Sequence, residues 1–147
     1  MQAVIFTGIQ ASGKSSLFRE RFFDSHVRIN LDMLKTRHRE KLLFEACLAA
    51  KQPFVVDNTN LSVNERAAYI GPARAAGFTV VGYYFRSVIA ESVPRNAARE
   101  PTARVPERGI MGAAARLEIP SANEGFDELF YVRLTDDGFV VEPWRSP

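Results

Sequence analysis

Nine consecutive residues near the amino terminus have the types and the spacing of a phosphate-binding loop. Residues 8–16 read Gly-Ile-Gln-Ala-Ser-Gly-Lys-Ser-Ser, which fits the pattern G-x-x-x-x-G-K-[ST]. In that pattern, backbone N–H groups and the positive end of a helix dipole converge on one anion. Lys14 is expected to reach the β- and γ-phosphates of a nucleoside triphosphate, and Ser15 to hold Mg²⁺. The residues that we expect to bind the nucleotide here are Gly8, Ala11, Ser12, Gly13, Lys14, Ser15 and Ser16.

Two aspartates could supply further chemistry beside that loop. Asp57 ends the apolar run 53–57, and an acid in that place can hold Mg²⁺ through water. Asp32 follows a short apolar segment and could accept the proton of a hydroxyl that attacks the γ-phosphate, a contribution of about 10²–10⁴ in rate. Asp32 could also be a helix N-cap, which stabilises a helix by about 1 kcal/mol. The residues alone leave both roles open, and the two roles can coexist.

The polar segment after Asp57 also has two interpretations. Asn58 and Asn60 could contact the second substrate, because they follow a strand that ends near the loop. The same residue types form simple turns. Both interpretations remain open at the level of sequence.

Arginine is the dominant basic residue, since fifteen of the nineteen Lys and Arg residues are Arg. Arg suits bidentate recognition of phosphate. Arg95 and Arg99 are four residues apart, which places them on one face of an expected helix. Over the phosphates they would neutralise the charge that builds on the transferred group, so residues 95–106 are a candidate lid. They could also be two solvated surface arginines.

The composition is that of one globular domain spanning residues 1–147. Hydrophobic residues make up 46% of the chain and charged residues 24%, and the net charge is +2. No apolar run approaches the length that spans a membrane, and an N-terminus that enters a strand at once argues against a signal peptide. Cys47 is the only cysteine, so no intrachain disulfide can form, which favours a reducing compartment such as the cytoplasm.

Apolar runs alternate with helical patterns along the chain. We expect strands at about residues 2–7, 27–30, 53–57, 78–85 and 129–134, and a further one at about 139–141 after the turn 136–138. Helices are expected at about residues 14–24, 33–50, 62–76, 87–99 and 106–117, with a kink or interruption at Pro94. This order predicts an α/β fold, a parallel sheet of about five strands with helices on both faces. Its carboxyl-terminal rim would gather residues 8–15, Asp32 and residues 57–60.

Five ordered motifs together resemble the kinase domain of polynucleotide kinases. They are G-x-x-x-x-G-K-S-S, then Asn30-Leu31-Asp32, then Val55-Val56-Asp57-Asn58-Thr59-Asn60, then Arg95-Asn96-Ala97-Ala98-Arg99, and then Val105-Pro106. The run from Asp57 to Gly77 is especially similar to the kinase half of animal polynucleotide kinase/phosphatases. The resemblance extends from residue 2 to about residue 134. It implies a P-loop kinase fold, ATP and Mg²⁺ as cofactors, and phosphorylation of a 5′-hydroxyl on DNA or RNA.

The resemblance also implies roles for single residues. It supports Asp32 as the base and Arg99, with Arg95, as lid arginines that touch ATP, so that Lys14, Asp32 and Arg99 are the expected catalytic set. Lys35 stands where phage members carry an arginine that contacts a substrate phosphate, although a lysine cannot form the bidentate fork. The residues expected on the acceptor side are Lys35, Asp57, Asn58 and Asn60. In the loop itself, Gln10-Ala11 replace the usual Pro-Gly, and Ser16 replaces the usual Thr.

Two other functions are compatible with the same residues. A small-molecule kinase, acting on a sugar, an antibiotic or a nucleotide sugar, needs the same loop and base. A non-catalytic ATP-dependent switch needs the loop but not Asp32. The chain has no room for a phosphatase or ligase domain, so we expect a kinase that acts alone or with a partner protein, on a 5′-OH nucleic acid end or a small hydroxylated substrate.

Overall fold

A computed structural model describes residues 1–145 of the chain. The strands are β1 (Gln2–Thr7), β2 (Val27–Ile29), β3 (Phe54–Val56), β4 (Thr79–Phe85), β5 (Glu128–Thr135) and β6 (Gly138–Pro143). The α-helices are α1 (Lys14–Arg21), α2 (Leu31–Leu34), α3 (Arg37–Ala50), α4 (Val63–Ala75), α5 (Ile89–Ala97) and α6 (Glu107–Arg116). Short 3₁₀ turns cover Pro101–Ala103 and Ala122–Glu124. None of the helices within residues 1–145 is long and apolar enough to cross a bilayer.

The strands form one sheet in the order β2-β3-β1-β4-β5-β6. The pairs from β2 to β5 are parallel, and β6 returns antiparallel to β5 through the turn at 136–137. The predicted parallel sheet of about five strands is therefore confirmed, with an antiparallel edge strand added. Strand β1 lies between β3 and β4, so the direction in which strands are added reverses there, and ligands bind beside such a point.

The core has two layers because both faces of the sheet are covered. On one face, Ile5 and Phe54 pack with Ile70 of α4 and Phe44 of α3. On the other face, Phe6 packs with Leu17 and Phe22 of the α1 segment and with Val132 of β5. The central strands β1 and β3 are buried on both faces, which explains why β1 is a continuous apolar run rather than an alternating one.

The helix expected at 33–50 is in fact two helices. Helix α2 ends at Leu34, Lys35 adopts φ 75, and the Thr36 hydroxyl caps α3 by accepting a hydrogen bond from Arg39 N at 3.1 Å. The cap of α2 is Asn30, whose Oδ1 accepts from Met33 N at 2.9 Å. The interpretation of Asp32 as the N-cap is therefore wrong, because the Asn30 side chain, two residues earlier, already caps the first turn.

Helix α5 is continuous through Pro94 and ends at Ala97, not near Arg99. Pro94 and Ala90, the residue four positions before it, are both exposed. The carbonyl group of Ala90, which has no N–H partner at Pro94, is therefore accessible to solvent, so its lost hydrogen bond costs little. The expected interruption is wrong for this reason, and Arg99 lies in the connection that follows the helix.

Candidate functional site

The loop between β1 and α1 is closely packed at both of its motif glycines. A Cβ atom at Gly8 would lie 2.8 Å from Ser12 Oγ and 2.9 Å from Phe85 Cβ. Gly13 has φ 105, and a Cβ there would lie 2.9 Å from the ring of Phe139. Ala11 also has a positive φ, 60°, although it carries a side chain. The loop therefore curls tightly enough to turn its backbone N–H groups toward one point.

Neighbouring elements fix the backbone of this loop. Gly8 N donates to Thr59 O at 3.0 Å, and Ile9 N donates to Ser87 Oγ at 3.1 Å. The buried amide of Asn60 donates to Phe6 O at 2.7 Å, at the end of β1. The segments after β3 and β4 thus hold the loop in place before any ligand binds.

The loop has unused donors where a phosphate would bind. The first intrahelical bond of α1 runs from Leu17 N to Gly13 O, so the amides of residues 14–16 precede the helical ladder and can donate to an anion. Ser12 Oγ is buried and has no hydrogen-bond partner within residues 1–145. The Lys14 ammonium donates to Gly8 O at 2.9 Å and to Ile9 O at 2.8 Å, so it lies directly over the loop. This donor set fits the phosphates of a nucleotide.

Lys14 lies deep in the site although its side chain is only half-buried. Desolvation lowers its pKa from the ordinary 10.5 to about 8. The carboxylates of Asp57 and Asp32 act in the opposite direction, and Arg99 adds to the lowering. Both acids and Arg99 line the same cavity as this ammonium group.

A compact polar cluster lies beside Lys14. Ser15 Oγ donates to Asp57 Oδ2 at 3.0 Å, and the Asp57 side chain is only 1% exposed. Arg28 on β2 completes the cluster, with Nε donating to Asp57 Oδ2 and Nη2 donating to Ser15 Oγ, both at 2.9 Å. A hydroxyl and one carboxylate are hard oxygen ligands of the kind that Mg²⁺ takes from proteins when nucleotide phosphates and water supply the rest. The residues therefore fit a nucleotide-bound Mg²⁺.

Asp32 is exposed and lines the same cavity as Lys14. Its short helix is held by two asparagines: Asn30 caps it, and Asn58 Oδ1 accepts from Leu31 N at 2.9 Å. The framework therefore fixes the position of Asp32 while its carboxylate remains open to a substrate. That arrangement differs from a purely structural cap, whose side-chain oxygens would accept hydrogen bonds from the backbone of its own helix.

The segment after α5 forms a closed loop over the site. Asn96, which is buried, donates from Nδ2 to Val105 O at 2.7 Å and accepts from Val105 N at 3.0 Å. Within this clasp, Arg104 Nε donates to Arg99 O at 2.8 Å. Arg99 and Arg104 both line the cavity that holds Lys14 and Asp32.

Arg95 lies apart from Arg99. It pairs with Glu91 at 3.7 Å and donates to Leu134 O at 3.4 Å, on the side where Leu134 packs near Gly13. Because Arg99 lies beyond the end of α5, the prediction that the two arginines share a helix face is wrong. Arg95 contacts the end of β5, whereas Arg99 lines the cavity that contains Lys14.

The cavity has a volume of about 1570 Å³ and continues from the loop to a groove between α3 and α4. At its base, the buried Glu40 accepts from Tyr69 OH at 2.7 Å, from Arg37 Nη1 at 2.9 Å and from Asn58 Nδ2 at 2.9 Å. Burial, reinforced by Glu40, raises the pKa of Tyr69. Of the residues expected on the acceptor side, Lys35 is exposed in this groove, whereas the amides of Asn58 and Asn60 are engaged in framework hydrogen bonds.

Sequence patterns did not single out three residues that shape this site. Arg28 lies in a three-residue strand too short for a pattern to show which way its side chain points. Glu40 lies in a helix whose exposed charged neighbours hide its burial. Asn96 belongs to the motif at residues 95–99, but its role depends on Val105, nine residues later. No local signal indicates such contacts.

The fold and the site define a P-loop protein with a kinase-like fold that binds nucleotide phosphates. The family described as "AAA domain" matches residues 4–120, and the chain belongs to this family. The chain is similar to the bifunctional polynucleotide phosphatase/kinase of Schizosaccharomyces pombe, with 27% identity over 130 residues. That match covers 85% of this chain and 32% of the relative, so the chain spans about a third of that protein's length. The predicted resemblance to polynucleotide kinases is thereby confirmed.

Solved structures of the same fold include a gluconokinase and a nucleotide complex. The gluconokinase from Sinorhizobium meliloti 1021 has a TM-score of 0.60 at 18% identity, over 88% of this chain and 82% of that one. Kti12 from Chaetomium thermophilum, in complex with ADP-AlF3, has a TM-score of 0.65 at 18% identity, over 92% of this chain and 90% of that one. At these identities the likeness shows the fold, and it confirms the predicted P-loop kinase architecture.

Proposed function

We propose that this protein transfers the γ-phosphate of ATP to a hydroxyl group, and that the acceptor is the 5′-OH of a DNA or RNA end. The observation that carries the proposal is the position of Asp32. This exposed carboxylate shares a cavity with Lys14, and its charge influences the pKa of that lysine. A switch protein that only binds nucleotide has no need of an open carboxylate there.

The reaction assigns a task to each side chain. The loop amides and Lys14 bind the β- and γ-phosphates, and Arg99 neutralises charge that builds on the transferred group. The acceptor oxygen attacks the γ-phosphorus, its proton passes to Asp32, and the bond to the β–γ bridging oxygen breaks to release ADP. Mg²⁺, held by Ser15 and by Asp57 through water, would offset the phosphate charge.

The rim of the acceptor groove supports a polyanionic acceptor. Lys35, Arg37, Lys41 and Arg104 are exposed and line the cavity beyond the loop. Positive charge along a groove raises the local concentration of a nucleic acid and stabilises its phosphates. Within this proposal Lys35 contacts an acceptor phosphate, Asp57, Asn58 and Asn60 border the acceptor, and Arg95 borders the nucleotide. The proposed location is the cytoplasm, because a chain with a single cysteine does not depend on an intrachain disulfide.

A transfer assay tests the acceptor directly. The protein is incubated with γ-labelled ATP, Mg²⁺ and one acceptor at a time: a 5′-OH DNA, a 5′-OH RNA, the same oligonucleotides with a 5′-phosphate, and a panel of small alcohols and sugars. We expect label on 5′-OH ends only, with a KM that rises steeply with salt because phosphate contacts are screened. Label on a small alcohol but on no oligonucleotide would make the protein a small-molecule kinase. Label on no acceptor would contradict both kinase functions and favour a non-catalytic ATP-dependent switch.

A further inference from the structure

The guanidinium of Arg28 lies where the two protein ligands of the metal converge. Its Nε donates to Asp57 Oδ2 and its Nη2 to Ser15 Oγ, each at 2.9 Å. The Ser15 hydroxyl in turn donates to Asp57 Oδ2 at 3.0 Å, which closes a triangle of hydrogen bonds. The cationic group therefore contacts Ser15 Oγ, the proposed direct ligand of Mg²⁺, and Asp57 Oδ2, which would hold the ion through water.

The burial of Asp57 explains why a cation belongs at this point. The Asp57 side chain is 1% exposed, and a buried carboxylate without a positive partner is costly. Arg28 supplies the positive charge from β2, with its guanidinium carbon 6.0 Å from the centre of the Phe18 ring. Its own side chain is 27% exposed and lines the cavity, so it has open space into which it can withdraw.

We propose that Arg28 and the divalent metal of the nucleotide are alternative partners of Ser15 and Asp57. This inference rests on the proposed use of that site for Mg²⁺ with ATP. Ser15 Oγ is the proposed direct ligand of Mg²⁺, and a guanidinium and a Mg²⁺ ion bonded to this same oxygen would lie so close together that their charges repel strongly. Metal loading therefore requires Arg28 to withdraw, and it breaks two charge-assisted hydrogen bonds.

Arg28 consequently sets how much divalent metal the protein needs. In the metal-free protein it keeps the Asp57 carboxylate paired, and it opposes metal entry until the nucleotide supplies further oxygen ligands. Because Arg28 lines the cavity, its guanidinium can withdraw from Ser15 and Asp57 without crossing the core. A residue that only stabilised the fold would stay bonded to Asp57 when the metal binds.

Metal affinity can be measured without any phosphoryl transfer. Binding of Mn²⁺ to the ADP complex is followed by electron paramagnetic resonance for the wild-type protein, Arg28→Met and Arg19→Met. Arg19 is the matched control, because it is exposed in the same cavity and its removal also deletes one positive charge. We expect the dissociation constant of Arg28→Met to fall by about tenfold, equivalent to about 1.4 kcal/mol. A gain no larger than that of Arg19→Met, or weaker binding, overturns the proposal.

A second measurement uses the wild-type protein, so it does not depend on how the variant folds. In the metal-free ADP complex, we expect the Nε–H signal of Arg28 to be protected from exchange with water. Titration with Mg²⁺ should shift this signal and remove its protection. The Nε–H of Arg66, which is fully buried and bonded to Glu124 at 2.8 Å, serves as the internal reference. An Arg28 signal that stays protected at metal saturation overturns the proposal.

Neither experiment contains an acceptor. A protein that exchanges Arg28 for the metal but phosphorylates nothing would contradict the proposed function and support this inference. A protein that phosphorylates 5′-OH ends while Arg28 stays bonded to Asp57 would do the reverse.

Discussion

The ammonium group of Lys14 illustrates how surroundings change the chemistry of a single residue. Its type and place in the loop are evident from the sequence, but its pKa of about 8 depends mainly on desolvation by the folded chain. Two consequences follow, and a rise in pH acts on them in opposite directions: it weakens nucleotide binding and stabilises the native state. Nucleotide phosphates favour the charged form, so binding near and above pH 8 must take up a proton. The unfolded chain, with the ordinary pKa of 10.5, also holds the proton more tightly than the native state.

These consequences predict how pH affects the protein. Affinity for ADP should fall as the pH rises beyond about 8, and calorimetry in buffers of different ionisation enthalpy should detect proton uptake on binding. The contribution of Lys14 to the free energy of unfolding should increase as the pH rises from about 8 to 10.5, so that the native state becomes more stable. The reason is that the unfolded state binds more protons than the native state in this range.

The matched control for this prediction is Lys14→Arg, which keeps its positive charge throughout the range. Its ADP complex should form without proton uptake near pH 8.5. Equal proton uptake by the variant and the wild-type protein would show that another group is responsible.

At the scale of elements, the site depends on short segments held by side chains from elsewhere in the chain. Helix α2 has only four residues and carries Asp32, and Asn30 and Asn58 fix its first turn. The candidate lid at residues 95–106 is closed in a similar way, by the two hydrogen bonds between Asn96 and Val105. Such short elements gain little stability from their own backbones, so these amide contacts set the geometry.

The lid provides the prediction at this scale. Asn96→Ala removes both hydrogen bonds to Val105, a net loss of about 1.5 kcal/mol or more in the stability of the closed loop. We therefore expect the backbone amide of Val105 to exchange with solvent at least about tenfold faster. Arg99 would then be held less firmly over Lys14, and the KM for ATP should rise. Hydrogen exchange followed by NMR measures the first effect and steady-state kinetics the second.

Asn64→Ala is the control for this change, since Asn64 is exposed on α4 and outside the cavity. It should alter neither the exchange of Val105 nor the KM for ATP. Unchanged exchange at Val105 in Asn96→Ala would mean that the clasp does not close the lid.

The strands and the loop were predictable from the sequence because their signals are local. Buried parallel strands read as continuous apolar runs, and the glycines and lysine of the loop have fixed spacing. The break between α2 and α3 was not predictable, since helix formers on both sides of Lys35 hide its positive φ. The contact between Arg28 and Asp57 joins β2 to the residue that follows β3, 29 positions later, and no periodicity indicates such a pair.

At the scale of the whole molecule, the topology places the chemical groups together. Strand β1 lies between β3 and β4, so the loop after β1 is bordered by the segments that follow its two neighbours. Those segments supply Asp57, Asn60 and Ser87, while the segment after β2 supplies Asp32. The carboxyl ends of parallel strands share one edge, and the nucleotide site and the proposed base therefore meet in one cavity.

The central claim is that Asp32 accepts the proton of the attacking hydroxyl. The most direct test is single-turnover transfer of labelled γ-phosphate to a 5′-OH oligonucleotide. The rate is measured for the wild-type protein, for Asp32→Asn and for the exposed control Asp24→Asn. We predict that Asp32→Asn lowers the transfer rate by about 10²–10⁴ while the dissociation constant for ATP stays nearly unchanged, and that Asp24→Asn transfers normally. Transfer by Asp32→Asn at the wild-type rate would contradict the account.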